Sequence, residues 1–148
     1  MIRDGNLRRS RGLPAEKRRE TMSEVFKEGT KKLGFGLMRL PQLDPNDWAS
    51  VDIETTKKMV DYFIEQGFTY FDTAWMYCGF NSESAAKEAL VDRYPRESFT
   101  LATKLHAGFF QTAEGMDDIF NQQLKKTGVS YFDYYLLHDV GEDHYKKY

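Results

Sequence analysis

The twelve residues FTYFDTAWMYCG, at positions 68–79, hold the feature that decides the fold of this chain. An apolar, β-prone run stops at Asp72, and Tyr77 follows five residues later. Aspartate often ends strands and tyrosine is common in loops, so this arrangement alone also fits an ordinary strand end. The rest of the chain decides between that interpretation and a catalytic one.

Strand-like and helix-like segments alternate along the chain from residue 33 onward. Apolar strand-like runs lie at 33–41, 68–74, 98–105 and 131–138. The segments between them show the helical spacing of apolar residues, with Asp52, Ser82 and Thr112 as N-caps. Strands that return about every 30 to 35 residues through a helix predict a parallel sheet of the α/β class.

Two parallel architectures fit this alternation, the doubly wound open sheet and the (β/α)8 TIM-type barrel. GFGLMR at 34–39 begins like the G-x-G-x-x-G fingerprint of dinucleotide-binding sheets. Arg39 stands where the third glycine should be, and Pro41 follows instead of a helix. We therefore predict the barrel, of which only the first four β-strands are present, a half-barrel.

Composition argues against several function classes. The chain has 148 residues, of which 41% are hydrophobic and 30% charged, as in one globular domain. Its net charge of −2 argues against a nucleic-acid partner, and no apolar run approaches the roughly 20 residues of a membrane helix. A single cysteine, Cys78, allows no internal disulfide and fits a reducing compartment, so we expect a cytoplasmic protein.

Basic residues are concentrated at the N-terminus. Residues 1–21 carry a net charge of +4, whereas 22–148 carry −6. Such a segment fits either a nucleic-acid-binding arm or a leader without a structural role. EKRRETM, which ends at Met22, back-translates readily to a purine-rich ribosome-binding site before a start codon, and this favours the leader. We expect Met22 to be the initiator, 1–21 to be disordered and 22–148 to form the domain.

Three of the four predicted strands end on an ionisable residue: Asp72, Lys104 and His138. Tyr77 lies in the loop after the second strand. In a parallel sheet these ends lie on one side, which in barrels carries the active site. Aspartate and lysine at the ends of apolar strands are costly to bury unless they pair, so we expect Asp72 to pair with Lys104.

These four side-chain types suit carbonyl reduction. Hydride transfer to a carbonyl carbon leaves an oxyanion that needs a proton, which a phenol can supply. A phenol is a weak acid near neutrality, but a nearby ammonium stabilises the phenolate. An aspartate would hold the lysine in place, and a histidine would donate a hydrogen bond to the substrate oxygen.

The motifs YFDTAWMYCGFNSE, TKL and DYYLLH resemble those of the aldo-keto reductases, in the same order and spacing over residues 33–138. The resemblance implies a catalytic tetrad of Asp72, Tyr77, Lys104 and His138, in which Tyr77 donates the proton. It also implies that an aldehyde or ketone is reduced with NADPH, or with NADH, and that no metal takes part in the chemistry.

The resemblance also implies where the cofactor binds. It places Gly36, Met38, Arg39 and Asp72 near the nicotinamide ribose. Trp75 and Met76 each fit either a substrate pocket or simple packing. LGFGLMRLP and WMYCG are most similar to a bacterial subgroup whose C-terminal extension carries cysteines for a [4Fe–4S] cluster, and this extension is absent here.

The length departs from the family, because a barrel of this type takes about 250 residues. We expect the N-terminal half of an enzyme, inactive alone, whose other half comes from a second chain if it is supplied at all. The alternative is a non-catalytic fragment, or a regulatory or interaction subunit of the same fold. His106 and His144 show no ligand spacing with Cys78, so no metal site is predicted.

Overall fold

A four-stranded parallel sheet with the order β1-β2-β3-β4 forms the centre of the protein. The computed structural model describes residues 31–148, so the predictions for 1–21 and Met22 lie outside the described residues. The strands are β1 (Gly34–Gly36), β2 (Tyr70–Asp72), β3 (Thr100–His106) and β4 (Tyr134–His138). Each pairs in parallel with the next along the chain, which confirms the predicted α/β class.

Helices connect consecutive strands. They are α1 (Ile53–Glu65), α2 (Tyr77–Phe80), α3 (Ser82–Ala86) and α4 (Ala113–Thr127). Shorter 3-10 turns lie at Leu37–Arg39 and Arg96–Ser98, and a π-helical turn, Lys87–Val91, continues α3. Within residues 31–148, none of the helices combines the length and the apolar character that crossing a bilayer requires.

Local capping chemistry defines the ends of the two long helices. The Asp52 carboxylate accepts a hydrogen bond from Thr55 N–H at 3.0 Å ahead of α1, and Thr112 Oγ1 accepts one from Gly115 N–H at 3.1 Å ahead of α4. Gly128, with φ of 72°, ends α4 in the left-handed conformation that glycine adopts without steric cost. Both predicted N-caps are therefore confirmed.

The third predicted N-cap and the first predicted strand differ from the structure. Ser82 is the first residue of α3, and its hydroxyl is buried, where it donates to Leu37 O at 2.9 Å. The strand predicted over 33–41 pairs only at Gly34–Gly36, because the chain then turns to bury Leu37 under the sheet. Within this run Leu37 and Leu40 are buried, whereas Leu33 and Met38 are exposed.

An aromatic cluster on β2 fills the space between the sheet and α1. Phe71 is fully buried, and its ring contacts those of Phe35, Phe63 and Phe99 at centroid distances of 5.6, 5.3 and 6.3 Å. Edge-to-face and tilted contacts of this kind add to the free energy gained by removing the rings from water. The cluster fixes β2, and with it the position of Asp72.

We predict that Phe71→Ala lowers the free energy of unfolding by about 3–5 kcal/mol, because the cavity left among the three rings cannot collapse fully. Tyr62→Ala on α1 is the matched control, since Tyr62 is 65% exposed. Urea unfolding followed by circular dichroism measures both variants. Equal losses for the two variants would contradict the assignment of Phe71 to the centre of the core.

Candidate active site

The carboxyl ends of β2, β3 and β4 bring the four predicted catalytic side chains to one side of the sheet. Asp72 is the last residue of β2 and His138 the last of β4, where it is paired in register with His106. Lys104 lies two residues before the end of β3. Tyr77 begins α2 directly after the loop that leaves β2. Residues far apart in the chain therefore meet because the strands are parallel.

Lys104 and Asp72 form the ion pair expected from the sequence. The ammonium donates hydrogen bonds to Asp72 Oδ1 and, at 2.7 Å, to the backbone oxygen of Thr73. Only 11% of the Lys104 side chain is exposed, against 29% for Asp72. The Lys104 nitrogen also lies 4.8 Å from the centre of the Tyr77 ring. A positive charge is thus held beside the phenol on a largely buried stem.

Tyr77 and His138 face each other across the site. The Tyr77 hydroxyl lies 3.5 Å from His138 Nε2, at the long limit of a hydrogen bond, and the two rings meet edge to face. Burial, and then repulsion by the Lys104 ammonium, lower the pKa of His138. The neutral imidazole therefore prevails near pH 7 and can donate one hydrogen bond.

The turn that carries Tyr77 has an unusual backbone. Cys78 and Phe80 have φ of 50° and 70°, a region that residues with side chains rarely occupy, and Gly79 has φ of 56°. A Cβ at Gly79 would lie 2.9 Å from Ala49 Cβ, so glycine is required there. The buried Cys78 thiol points at Leu37 O and Met38 O, at 3.6 and 3.5 Å. These contacts hold Tyr77 against the turn after β1.

A cavity of about 430 Å³ opens beside the Tyr77 and His138 side chains. Its lining includes both apolar and polar side chains. Its lining residues are Met38, Trp48, Met76, Tyr77, His106, His138 and Asp139.

Trp75, proposed from the sequence for a substrate pocket, is not among the residues that line this cavity. Its ring lies edge-on to Phe80 and 4.4 Å below the Lys126 ammonium. Met76, which the sequence also proposed for a pocket, lines the cavity, and so does Trp48, which the sequence did not assign to one. No local pattern distinguishes Trp48, since it belongs to the polar loop 42–51 that only the fold brings near Tyr77.

Of the four residues predicted near the cofactor, Met38 lines the same cavity and is 40% exposed. Gly36 is paired in register with Asp72, and a Cβ at Gly36 would have no atom within 4 Å. Arg39 is exposed. The role of these residues at a cofactor remains a prediction from the sequence.

A buried polar network behind β3 was not predicted from the sequence. Glu83 is fully buried, and its Oε1 accepts hydrogen bonds from Thr103 Oγ1 at 2.8 Å and Gln123 Nε2 at 2.7 Å. Gln123 also donates to Lys104 O at 3.1 Å and accepts from the Tyr135 hydroxyl at 2.7 Å. The network therefore fixes the backbone that carries Lys104. Glu83 resembled a solvated helix residue because it follows Ser82 in a polar stretch.

The comparisons with known proteins agree with the fold. A family model described as the Aldo/keto reductase family matches residues 32–147, and the chain belongs to this family. The chain is 33% identical over 114 residues to an NAD(P)H-dependent D-xylose reductase of Pyricularia oryzae, covering 74% of this chain and 33% of that protein. It is 29% identical over 108 residues to a 9,11-endoperoxide prostaglandin H2 reductase of Trypanosoma cruzi, covering 71% and 36%.

Solved structures share the fold at low sequence identity. An aldo-keto reductase from Klebsiella pneumoniae, crystallised in complex with NADPH, superposes with a TM-score of 0.62 at 22% identity. The match covers 76% of this chain and 37% of that one. The chain thus spans about a third of the length of the curated relatives it matches.

We predict that the stability of the protein depends on pH through Glu83. Burial raises the pKa of the Glu83 carboxyl above its ordinary value of 4.5. The Lys126 ammonium, which lies 3.7 Å from Oε2, offsets this rise only in part. The folded state therefore binds the Glu83 proton more tightly than the unfolded chain does. The resulting contribution to the free energy of unfolding is complete below pH 4.5 and is lost as the pH rises through the raised pKa of Glu83.

Glu83→Gln should therefore gain stability relative to the wild type as the pH rises from about 4 towards neutrality. The exposed Glu97→Gln is the matched control and should show no such trend. Chemical unfolding of the three proteins between these pH values gives the comparison. A difference between wild type and Glu83→Gln that stays constant with pH would contradict the role given to Glu83.

Proposed function

We propose that this chain forms the proton-donating half of an NAD(P)H-dependent reductase of aldehydes or ketones. The observation that carries the proposal is the meeting of the Tyr77 hydroxyl with His138 Nε2, beside a Lys104 ammonium that Asp72 holds in place. Family membership and relatives that are named as reductases support it.

Each side chain has one task in this reaction. As hydride reaches the carbonyl carbon, the carbonyl oxygen becomes an alkoxide and takes the proton from the Tyr77 hydroxyl. Lys104 stabilises the phenolate that forms, and solvent later returns the proton. Asp72 and Thr73 O keep the ammonium charged and directed at the ring. The neutral His138 imidazole donates a hydrogen bond that orients the substrate oxygen.

A reduced nicotinamide cofactor would supply the hydride. Gly36, Met38, Arg39 and Asp72 fit the nicotinamide end, since the space beside Gly36 is open and Met38 lines the cavity. NADPH is the proposed cofactor, with NADH as the alternative, because one relative is named NAD(P)H-dependent and one fold neighbour was solved with NADPH. A [4Fe–4S] cluster, which the resemblance places only in a C-terminal extension, stays a prediction from the sequence. A cytoplasmic location also stays a prediction.

The substrate proposed is a small carbonyl compound with an apolar portion. Met38, Trp48 and Met76 supply apolar side chains to the cavity lining, and the two histidines and Asp139 supply polar ones. A carbonyl oxygen directed at Tyr77 and His138 would leave the remainder of the molecule to contact the apolar side chains. The pocket role of Trp75 would then fall to Trp48 and Met76.

The partner proposed is a second half-barrel that covers β4. Leu137 and Val140 are 51% and 56% exposed, and within residues 31–148 β4 pairs only with β3. A strand edge with apolar side chains pairs readily with another strand. The four further strands would come from additional sequence or from a second polypeptide, and they would complete the cofactor site.

We predict that Tyr77→Phe lowers kcat by about 10²- to 10⁴-fold, because the proton donor is lost while the ring remains. The assay follows NADPH oxidation with a panel of small aldehydes and ketones, on this chain joined to the half-barrel that completes it. Tyr62→Phe, the same substitution at an exposed position of α1, is the matched control. Full activity in Tyr77→Phe would disprove the proposed proton donor.

We also predict that the 148-residue chain alone self-associates and shows no reductase activity, because within residues 31–148 β4 pairs only with β3 and exposes apolar side chains. Leu137→Lys should shift the distribution towards monomer, whereas Tyr62→Lys on α1 should not. Light scattering at several concentrations measures both effects. A monodisperse wild-type monomer that oxidises NADPH would overturn this prediction and the need for a second half-barrel.

A further inference from the structure

The three histidines of the chain lie close together, and two of them, His106 and His138, line the cavity. The His106 ring contacts the rings of His138 and His144 at centroid distances of 5.4 and 5.0 Å. Asp139, the residue after β4, places its carboxylate between two of them. Its Oδ2 lies 3.8 Å from His106 Nε2 and 3.5 Å from His144 Nδ1.

We propose that His106, Asp139 and His144 form a binding site for a late first-row divalent metal ion of the zinc type. One ligand atom from each residue can be chosen so that all three lie within 4.8 Å of one another. Two imidazoles and one carboxylate are a donor set that suits Zn²⁺, which leaves a fourth position for water or substrate.

The spacing is close to that of a formed site. Zinc–nitrogen bonds of about 2.0–2.1 Å in a tetrahedron place ligand atoms about 3.3 Å apart. The separations of 3.5 and 3.8 Å from Asp139 Oδ2 are near that value, and the third pair of ligand atoms lies within 4.8 Å. Asp139 is well placed to adjust because its side chain is 68% exposed.

Neighbouring backbone groups already orient the ligands. Asp139 has φ of 56°, and its backbone oxygen accepts hydrogen bonds from Gly141 N–H at 2.9 Å and from His144 Nδ1 at 3.0 Å. The same His144 Nδ1 lies 3.5 Å from Asp139 Oδ2, so a metal ion bound through this nitrogen would replace its contact with the backbone oxygen. This turn brings His144 back towards β3.

A further contact opposes binding. Gly108 N–H donates to His106 Nδ1 at 2.9 Å, so the neutral ring carries its proton on Nε2. A metal at Nε2 must displace that proton to Nδ1 and open the Gly108 contact. Binding therefore competes with this hydrogen bond.

A metal at this position would join the ends of β3 and β4. His106 and Asp139 also line the cavity beside Tyr77 and His138. The ion would therefore lie at the entrance of the proposed reductase site, where it would narrow access to the Tyr77 hydroxyl. The inference concerns binding by this chain and does not depend on reductase activity.

The test is a titration of the chelator-treated 148-residue chain with Zn²⁺ by calorimetry, and with Co²⁺ by visible absorption. We expect one Zn²⁺ per chain, Co²⁺ bands typical of four-coordination, and no binding of Mg²⁺, which prefers oxygen ligands. Asp139→Asn and His144→Ala should each weaken Zn²⁺ binding at least about tenfold, since loss of even an outer partner costs that much.

Asp143→Asn, an exposed acid next to His144, is the matched control and should bind Zn²⁺ like the wild type. Circular dichroism establishes that every variant is folded before titration. Wild-type affinity in both Asp139→Asn and His144→Ala would overturn the site. So would the absence of Zn²⁺ binding at millimolar concentration, or one ion shared between two chains.

Discussion

The pairing of Lys104 with Asp72 and Thr73 O is the interaction on which the rest of the site depends. An ammonium with 11% of its side chain exposed has lost most of its hydration, and only acceptors of its own protein replace it. Both acceptors lie at the end of β2, so the charge is satisfied only when β2 and β3 keep their register. Removing one partner would leave the other buried and unpaired, which costs more than the pair gains.

Tyr77 is held by different means. Its place beside Lys104 comes from a left-handed turn whose residues contact the segment after β1, through the Cys78 thiol and the Ser82 hydroxyl. Ser82 also shares a hydrogen bond of 2.7 Å with Thr73, the residue that follows Asp72. The turn that positions the phenol is thus joined both to β2 and to the residues beside the proposed nicotinamide site. A shift of this turn would therefore move Tyr77, the proposed proton donor, together with the residues beside the proposed nicotinamide site.

The sequence predicted those parts of the site that follow from strand ends, and missed those that follow from packing between elements. Asp72, Lys104 and His138 were recognisable because each ends an apolar run, and parallel strands place such ends on one side. Glu83 and Gln123 were not recognisable, because a buried hydrogen-bonded pair leaves no periodic signal when its members are 40 residues apart. Trp48 and the grouping of His106 with Asp139 and His144 depend on loop paths that no pattern of apolar residues specifies.

The contacts described for the tetrad lie within β2, β3, β4, the helices that follow the first two of these strands and the turn after β1. Lys104 is held on one side by Asp72 and on the other by the Glu83 network. These contacts position the proposed proton donor and its neighbours within the part of the chain that the structure describes. The Leu137 side chain on β4, in contrast, is exposed, and it becomes buried only when another strand or surface covers it. The pairing of β2, β3 and β4 thus positions the proposed catalytic side chains. Closure of the sheet into a barrel decides whether substrate and cofactor are held next to them.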